Sequence, residues 1–208
     1  MGHPDFRVIA AKPGFDPLDV LWAHWNGLRT AGPVPRRSDV RPAQLGAALE
    51  CAFVLEWTAA QHARFRVVGG TVNDLLDMDV RGMPFTALFD PGTRALANTY
   101  LRHVFETPSV LSMTMTSNGH YGSPGLDARL IILPLLDDQM RPTRAIGCID
   151  VQGDIGETPR RFDTIKSVEQ DMLGAALGPV DRGAASTQPA AVTDRPRVIP
   201  RPHLRVVQ

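Results

Sequence analysis

The sequence predicts an α+β domain: a five-stranded antiparallel sheet with helices gathered on one side, an amphipathic helix ahead of it and another behind it. Three observations carry this. Five stretches have strand character, and short turn-rich links join them in pairs, a connection open only to antiparallel neighbours. The helical stretches come in blocks rather than one between each pair of strands, which segregates helices from sheet. The hydrophobic content is 43 % of 208 residues, enough for a packed core.

Asp16-Pro17 opens the first helix. Asp16 is a capping residue, Pro17 suits the first helical position, and Asp19 lies in the first turn, where a negative charge is favourable. Leu18, Leu21, Trp22, Trp25 and Leu28 then share a face, and Gly32-Pro33 stops the helix. A shorter helix after Pro42 is expected to bury Leu45 and Leu49. Cys51–Thr58 and Arg64–Val68 alternate around a turn at Gln61-His62-Ala63 and read as a hairpin, with Phe65 and Val67 on one side. Gly69-Gly70 breaks it, and Thr71 with Asp74 has the spacing of a capping box for a short helix through Leu76. A further short helix is expected near Pro84–Phe89. A longer one, Thr93–Glu106, puts Leu96, Tyr100, His103 and Val104 near one stripe.

Three strands follow, Val110–Thr116, Leu126–Leu136 and Arg144–Val151, separated by the turn-rich segments 118–125 and 137–142. A final amphipathic helix is predicted over Pro159–Leu177, with Thr158-Pro159 as cap and Phe162, Ile165, Val168, Met172 and Ala176 as stripe. The chain thus divides into a flexible N-terminus (1–15), a domain with its leading helix (16–152), an amphipathic helix (153–177) and a disordered tail (178–208). The tail holds five arginines against Asp181 and Asp194, five prolines and no aromatic residue, too little apolar surface to offset its ordering entropy.

Composition narrows the function classes. Lys+Arg and Asp+Glu both number 22, so the chain as a whole lacks the basic excess of a dedicated nucleic-acid binder. Its longest apolar run, Leu130–Leu136, is seven residues with Pro134 inside, far below the roughly 20 that span a bilayer. Met1–Phe15 lacks the basic-then-apolar order of a secretory signal. Two cysteines fit a reducing compartment, so a cytoplasmic protein is expected.

The strand-strand-helices-strand-strand-strand order resembles that of a PAS domain, and local motifs sharpen the likeness to the stand-alone PAS proteins of alphaproteobacteria. Trp25-Asn26-Gly27-Leu28-Arg29 matches a Trp-x-x-Leu-Arg pattern on a leading helix, and Pro35-Arg36-Arg37-Ser38-Asp39 matches the Pro-x-Arg-x-Asp that follows. Arg66–Gly69 and Arg144–Gly147 match two Arg-x-x-Gly stretches, Gly82 a glycine ahead of a helix, and Leu130–Leu135 a Leu-x-Leu-Pro-Leu run. Gly70 and Asp77 depart from the family's usual Thr or Ser and Gly.

The resemblance, over about residues 17–152, implies a sensory or regulatory protein without enzymatic activity. It implies partners such as histidine kinases or other PAS proteins, a homodimer, and a small ligand between sheet and helices.

His24, His62, His103 and His120 are scattered, and no metal-ligand spacing exists, so no metal site is expected. His103 lies where haem-binding PAS domains place their axial ligand. A helix-surface histidine is the preferred reading, so no cofactor is predicted. Cys51 and Cys148 fall in strands, outside any flavin motif, and read as small buried hydrophobes. Met113 and Met115 alternate with hydroxyl residues, and with Arg66 and Tyr100 they are the candidate pocket residues, although core filling is the commoner use of such methionines. Leu21, Trp22, Trp25 and Leu28 must bury their stripe on the sheet or on a second subunit; packing on the outer sheet face with a dimer contact is expected. Arg37 and Asp39, with Arg29, are read as a polar network fixing the loop into the first strand. Arg197-x-x-x-Arg201 reads as a solvated basic tail. The competing class is a small isomerase- or dehydratase-like enzyme on a curved α+β cone, for which Glu56 and Asp150 are the main carboxylates.

Overall fold

A computed structural model describes residues 15–119 and 124–173. The tail 178–208, nearly all of the N-terminus 1–15, and His120 lie outside them. Helix α1 (Pro17–Gly27) begins as the capping residue requires: Asp16 accepts from the backbone N–H of Leu18 at 2.9 Å. After it come 3-10 turns at 37–39, 42–44 and 46–51. Next are β1 (Ala52–Trp57), β2 (Ala63–Val68), α2 (Gly70–Leu76), a 3-10 turn at 85–88 and α3 (Arg94–Glu106). Strands β3 (Ser109–Ser117), β4 (Leu126–Leu135), β5 (Arg144–Gln152) and β6 (Thr164–Met172) complete the order. All strands join one antiparallel sheet in the order β2-β1-β5-β4-β3-β6. Among the described residues no helix is long and apolar enough to cross a membrane.

The sheet therefore has six strands, not five, and the helix expected over Pro159–Leu177 is strand β6, at least as far as Met172. The error has a physical cause. Lys166 is an unpaired bulge residue between the Met115↔Ile165 and Thr114↔Ser167 pairs. One extra residue turns period two into a spacing of three, so Ile165 and Val168 both reach the inner face and imitate a helical stripe. Phe162, fully buried, precedes the strand and bridges to Phe89. Arg160, also buried, anchors this approach by donating to the carbonyls of Ile155 at 3.0 Å and Pro124 at 2.7 Å.

Both faces of the sheet are covered. The inner face packs on α2, α3 and the turn at 85–88, around the rings of Phe53, Phe65, Phe85, Phe89 and Phe162. Helix α3 contributes Ala97, Leu101, Val104 and Phe105; Leu96 is exposed, so its buried stripe is displaced from the predicted one. Helix α2 starts at Gly70 with no side-chain cap, so the capping box from Thr71 does not form. Asp77 closes α2 in the left-handed region (φ 53°), where a glycine would be unstrained.

The outer face of β4 and β5 receives α1. Leu18, Leu21, Trp22 and Trp25 pack on Ile131, Leu133, Leu135, Ile146 and Cys148, with the Trp22 and Trp25 rings stacked at 5.6 Å. The helix thus finds its apolar partner on its own sheet. Beneath its N-terminus Arg129, 1 % exposed, reaches Asp16 at 2.8 Å and Asp150 at 2.7 Å, which satisfies a charge that would be costly to bury alone.

Candidate functional site

Strand β2 carries the second bulge. The β1 register passes from Val54↔Val67 to Leu55↔Phe65 and leaves Arg66 unpaired. Phe65 therefore points inward, while Val67, expected beside it, is on the outer face and 52 % exposed. Leu49, expected to be buried, is 42 % exposed on the turn opposite, whereas Leu45 is buried. Between them lies an outer-face groove of about 400 Å³, lined by Val40, Pro42, Leu45, Leu49, Ala52, Val54, Val67, Leu135 and Ile146. The groove lies over β1 and β2 and borders the β4 and β5 residues on which α1 packs.

One end of the groove is charged. Arg37 lines the groove and also a polar cavity of about 510 Å³ bounded by Glu56, Asp137, Arg141 and Arg144. Glu56, near the end of β1 opposite Arg144, is bonded by both Arg144 and Arg66. Burial pushes its carboxyl upward, but the two guanidinium groups outweigh that and hold it below the usual carboxylate range. The apolar groove thus leads past Val54 and Val67 to Arg37, Arg66, Arg144 and Glu56.

The loop motif feeds this end. The carbonyl of Leu136 accepts from Arg37 N–H, and that of Pro35 accepts from Leu136 N–H, both at 2.9 Å, which lashes the segment to the end of β4. Arg37 and Asp39 make no ion pair with each other among the described residues. Arg29 instead donates to the Pro33 carbonyl at 2.8 Å and lies 5.1 Å over the Trp25 ring.

The motif glycines have steric reasons. A Cβ at Gly69 would stand 2.3 Å from the carbonyl oxygens of Leu49 and Glu50, and Gly82 has φ +83°. Gly82 is also held by Arg64, which donates to its carbonyl at 2.8 Å.

The pocket candidates do not assemble. Met113 and Met115 are buried in the inner core, with Tyr100 half-buried against it, whereas Arg66 is at the opposite surface on Glu56. His103 is exposed, its Nδ1 3.3 Å from Gln170 Oε1 of β6, so it stands outside the inner core where an axial ligand would have to project. Leu28 is half-buried at the end of α1. The carboxylates weighed for catalysis have arginine partners: Glu56 as above, and Asp150 with Arg129 and Gln152. The groove itself escaped the sequence because its walls come from four separate stretches. The one available signal was the run of apolar residues at 40–54 exceeding what a 3-10 segment can bury.

A sheet of this order, with a helical block between its second and third strands, defines a PAS-type α+β domain. A family model described as PAS domain matches residues 16–150, and the chain belongs to that family. No curated protein matches it. Among solved structures it is similar to the PAS domain of a protein from Colwellia psychrerythraea, at 12 % identity and a TM-score of 0.37, over 52 % of this chain and 93 % of that one. It is also similar to VqmA bound to DPO, at 15 % identity and a TM-score of 0.39, over 55 % of this chain and 58 % of that one. PAS membership supports a sensory or regulatory role.

Proposed function

We propose that this protein is a non-enzymatic, cytoplasmic regulator of bacterial signal transduction that works by docking a protein partner on the outer face of its sheet. The observation that carries the reading is the groove between Leu49 and Val67: two large apolar side chains stand 42 % and 52 % exposed across a channel that ends in arginines. Exposed apolar surface rimmed by charge is what a docking partner buries. The fitting partner presents an apolar segment followed by a carboxylate for Arg37. A histidine kinase, another PAS protein or a second copy of this chain belongs to that class. A partner that favours one arrangement of the 3-10 turns shifts the population toward it, and a small ligand would act in the same way.

The test is affinity capture with the full chain from cells of its source, beside light scattering of the purified protein. Leu49→Asp with Val67→Asp is expected to abolish the captured signalling partner or the dimer while leaving the circular dichroism spectrum unchanged. If the doubly substituted protein keeps every partner and its oligomeric state, the outer-face reading is wrong.

A further inference from the structure

The chain holds two cysteines, 97 positions apart in sequence, and the fold sets them at neighbouring register positions on one apolar layer. Cys51 ends the 3-10 run 46–51, and Cys148 lies in the middle of β5 opposite Ala52, the residue next to Cys51. Cys51 packs against the apolar layer that contains Cys148, and Thr71 of α2 directs its hydroxyl at Cys51 Sγ from 3.5 Å. Their exposures differ: Cys51 is partly open to solvent, and Cys148 is fully buried in the layer beneath α1. A free, merely structural cysteine needs neither a second thiol nor a hydroxyl donor.

We propose that Cys51 is an oxidation site for hydroperoxides and that Cys148 resolves it to an intramolecular disulfide. The asymmetry assigns the roles. The neighbouring Cys148 thiol lowers the Cys51 thiol to about 7, with help from Thr71 and against burial and the Asp150 and Glu50 carboxylates. Cys148 moves strongly upward, because it faces the Cys51 thiol and is buried. The exposed sulfur is therefore the one that carries thiolate, the nucleophilic form.

In the first step Cys51 thiolate attacks the terminal oxygen of the hydroperoxide. The S–O bond forms and the O–O bond breaks. The departing alkoxide or hydroxide takes a proton from water and leaves as an alcohol or as water, so the sulfur is oxidised to a sulfenic acid and the peroxide is reduced. In the second step the Cys148 sulfur attacks the Cys51 sulfur. The S–S bond forms, the S–O bond breaks, and the hydroxide leaves with the Cys148 proton as water. Cys148 needs access only to the sulfur beside it, so its burial is no obstacle. The disulfide ties the turn bearing Leu45 and Leu49 to β5.

The test treats the reduced full-length protein with stoichiometric hydrogen peroxide, unfolds it in N-ethylmaleimide and reads intact and peptide masses. Expected are loss of both maleimide-reactive thiols, loss of two hydrogen atoms from the monomer, and a cross-linked peptide joining Cys51 to Cys148. In Cys148→Ala a sulfenic acid on Cys51 is expected to accumulate and be captured by dimedone, and Cys51→Ser is expected to leave Cys148 reduced. The proposal is overturned if both wild-type thiols remain alkylatable, if Cys51 runs on to sulfinic acid while Cys148 stays free, or if the only disulfide formed links two chains. The wild-type masses decide the question even where a variant does not fold.

Discussion

The indole N–H of Trp25 donates to the carbonyl oxygen of Pro134 across 2.9 Å, a buried bond between residues 109 apart in sequence. Pairing of β3 with β4 ends at Leu111↔Ile132, so Pro134 lies past the last β3 partner. A proline is tolerated there because no ladder donor is required of it, and its carbonyl is left to be satisfied by something other than a strand. Trp25, fully buried, supplies that donor and fixes where α1 sits on the outer face.

Replacing Trp25 by Phe keeps an aromatic ring but leaves the Pro134 carbonyl without a donor. A loss of about 1–3 kcal/mol is expected, the range for an unsatisfied buried polar group. Trp25→Ala adds a cavity and should cost about 3–5 kcal/mol. Urea unfolding followed by far-ultraviolet circular dichroism measures both. Equal stability of Trp25→Phe and the wild type would show that the bond contributes nothing.

Gly147 gives a second prediction. It sits in β5 opposite Phe53, and a Cβ there would lie 2.4 Å from two ring carbons of Phe53 and 2.9 Å from the Ile131 carbonyl oxygen. Gly147→Ala should therefore cost about 1–3 kcal/mol through overpacking. Gly92→Ala, where nothing lies within 4 Å of the added atom, serves as the control. Combining Gly147→Ala with Phe53→Leu should recover part of the loss, since the two positions share one volume. Strict additivity would place the cause elsewhere.

The same residues show what was legible in the sequence. Asp16-Pro17 and the Trp stripe obey local rules of capping and periodicity, although α1 ends at Gly27, ahead of the Gly32-Pro33 stop, and strands β3, β4 and β5 formed within a residue of their expected bounds. The Arg-x-x-Gly matches at Gly69 and Gly147 were recognisable as motifs, but their reason is not local: each glycine makes room for a group distant in sequence. Two of the departures from the expected faces, in β2 and β6, share one cause. A bulge shifts the face of the residues that follow it: the one at Arg66 turns Val67 outward, and the one at Lys166 brings Val168 onto the face that Ile165 already occupies. A bulge is decided by the partner strand, which a single stretch of sequence does not reveal. The groove lies beside the first of these bulges, and for that reason it was hidden while the inner core was not.

Asp137 supplies the pH-dependent prediction. Its carboxylate accepts from the backbone N–H groups of Arg141 and Gln139, both at 2.9 Å, and from the Thr143 hydroxyl at 2.7 Å. The Arg141 N–H leads in lowering its pKa to about 2 and, with the Thr143 and Gln139 bonds, outweighs the opposing effect of burial. The folded value lies below the roughly 4 of an unfolded aspartate, so the ionised carboxylate contributes stability that is fully present above pH about 4. That contribution fades as pH falls through about 2, where the folded carboxyl takes up its proton. Asp137→Asn removes the titrating group and leaves a weaker acceptor for the same donors. The stability gap between wild type and Asp137→Asn, measured by urea unfolding, should be constant from neutrality down to pH about 5 and shrink between about 4 and 2. A gap that stays level to pH about 2 would mean that these donors do not prefer the charged form. The loop also borders the polar cavity shared with Arg37. A partner carboxylate on Arg37, with an ordinary pKa of about 4, loses its charge in the same interval, so binding should weaken in acid in the wild type and in Asp137→Asn alike.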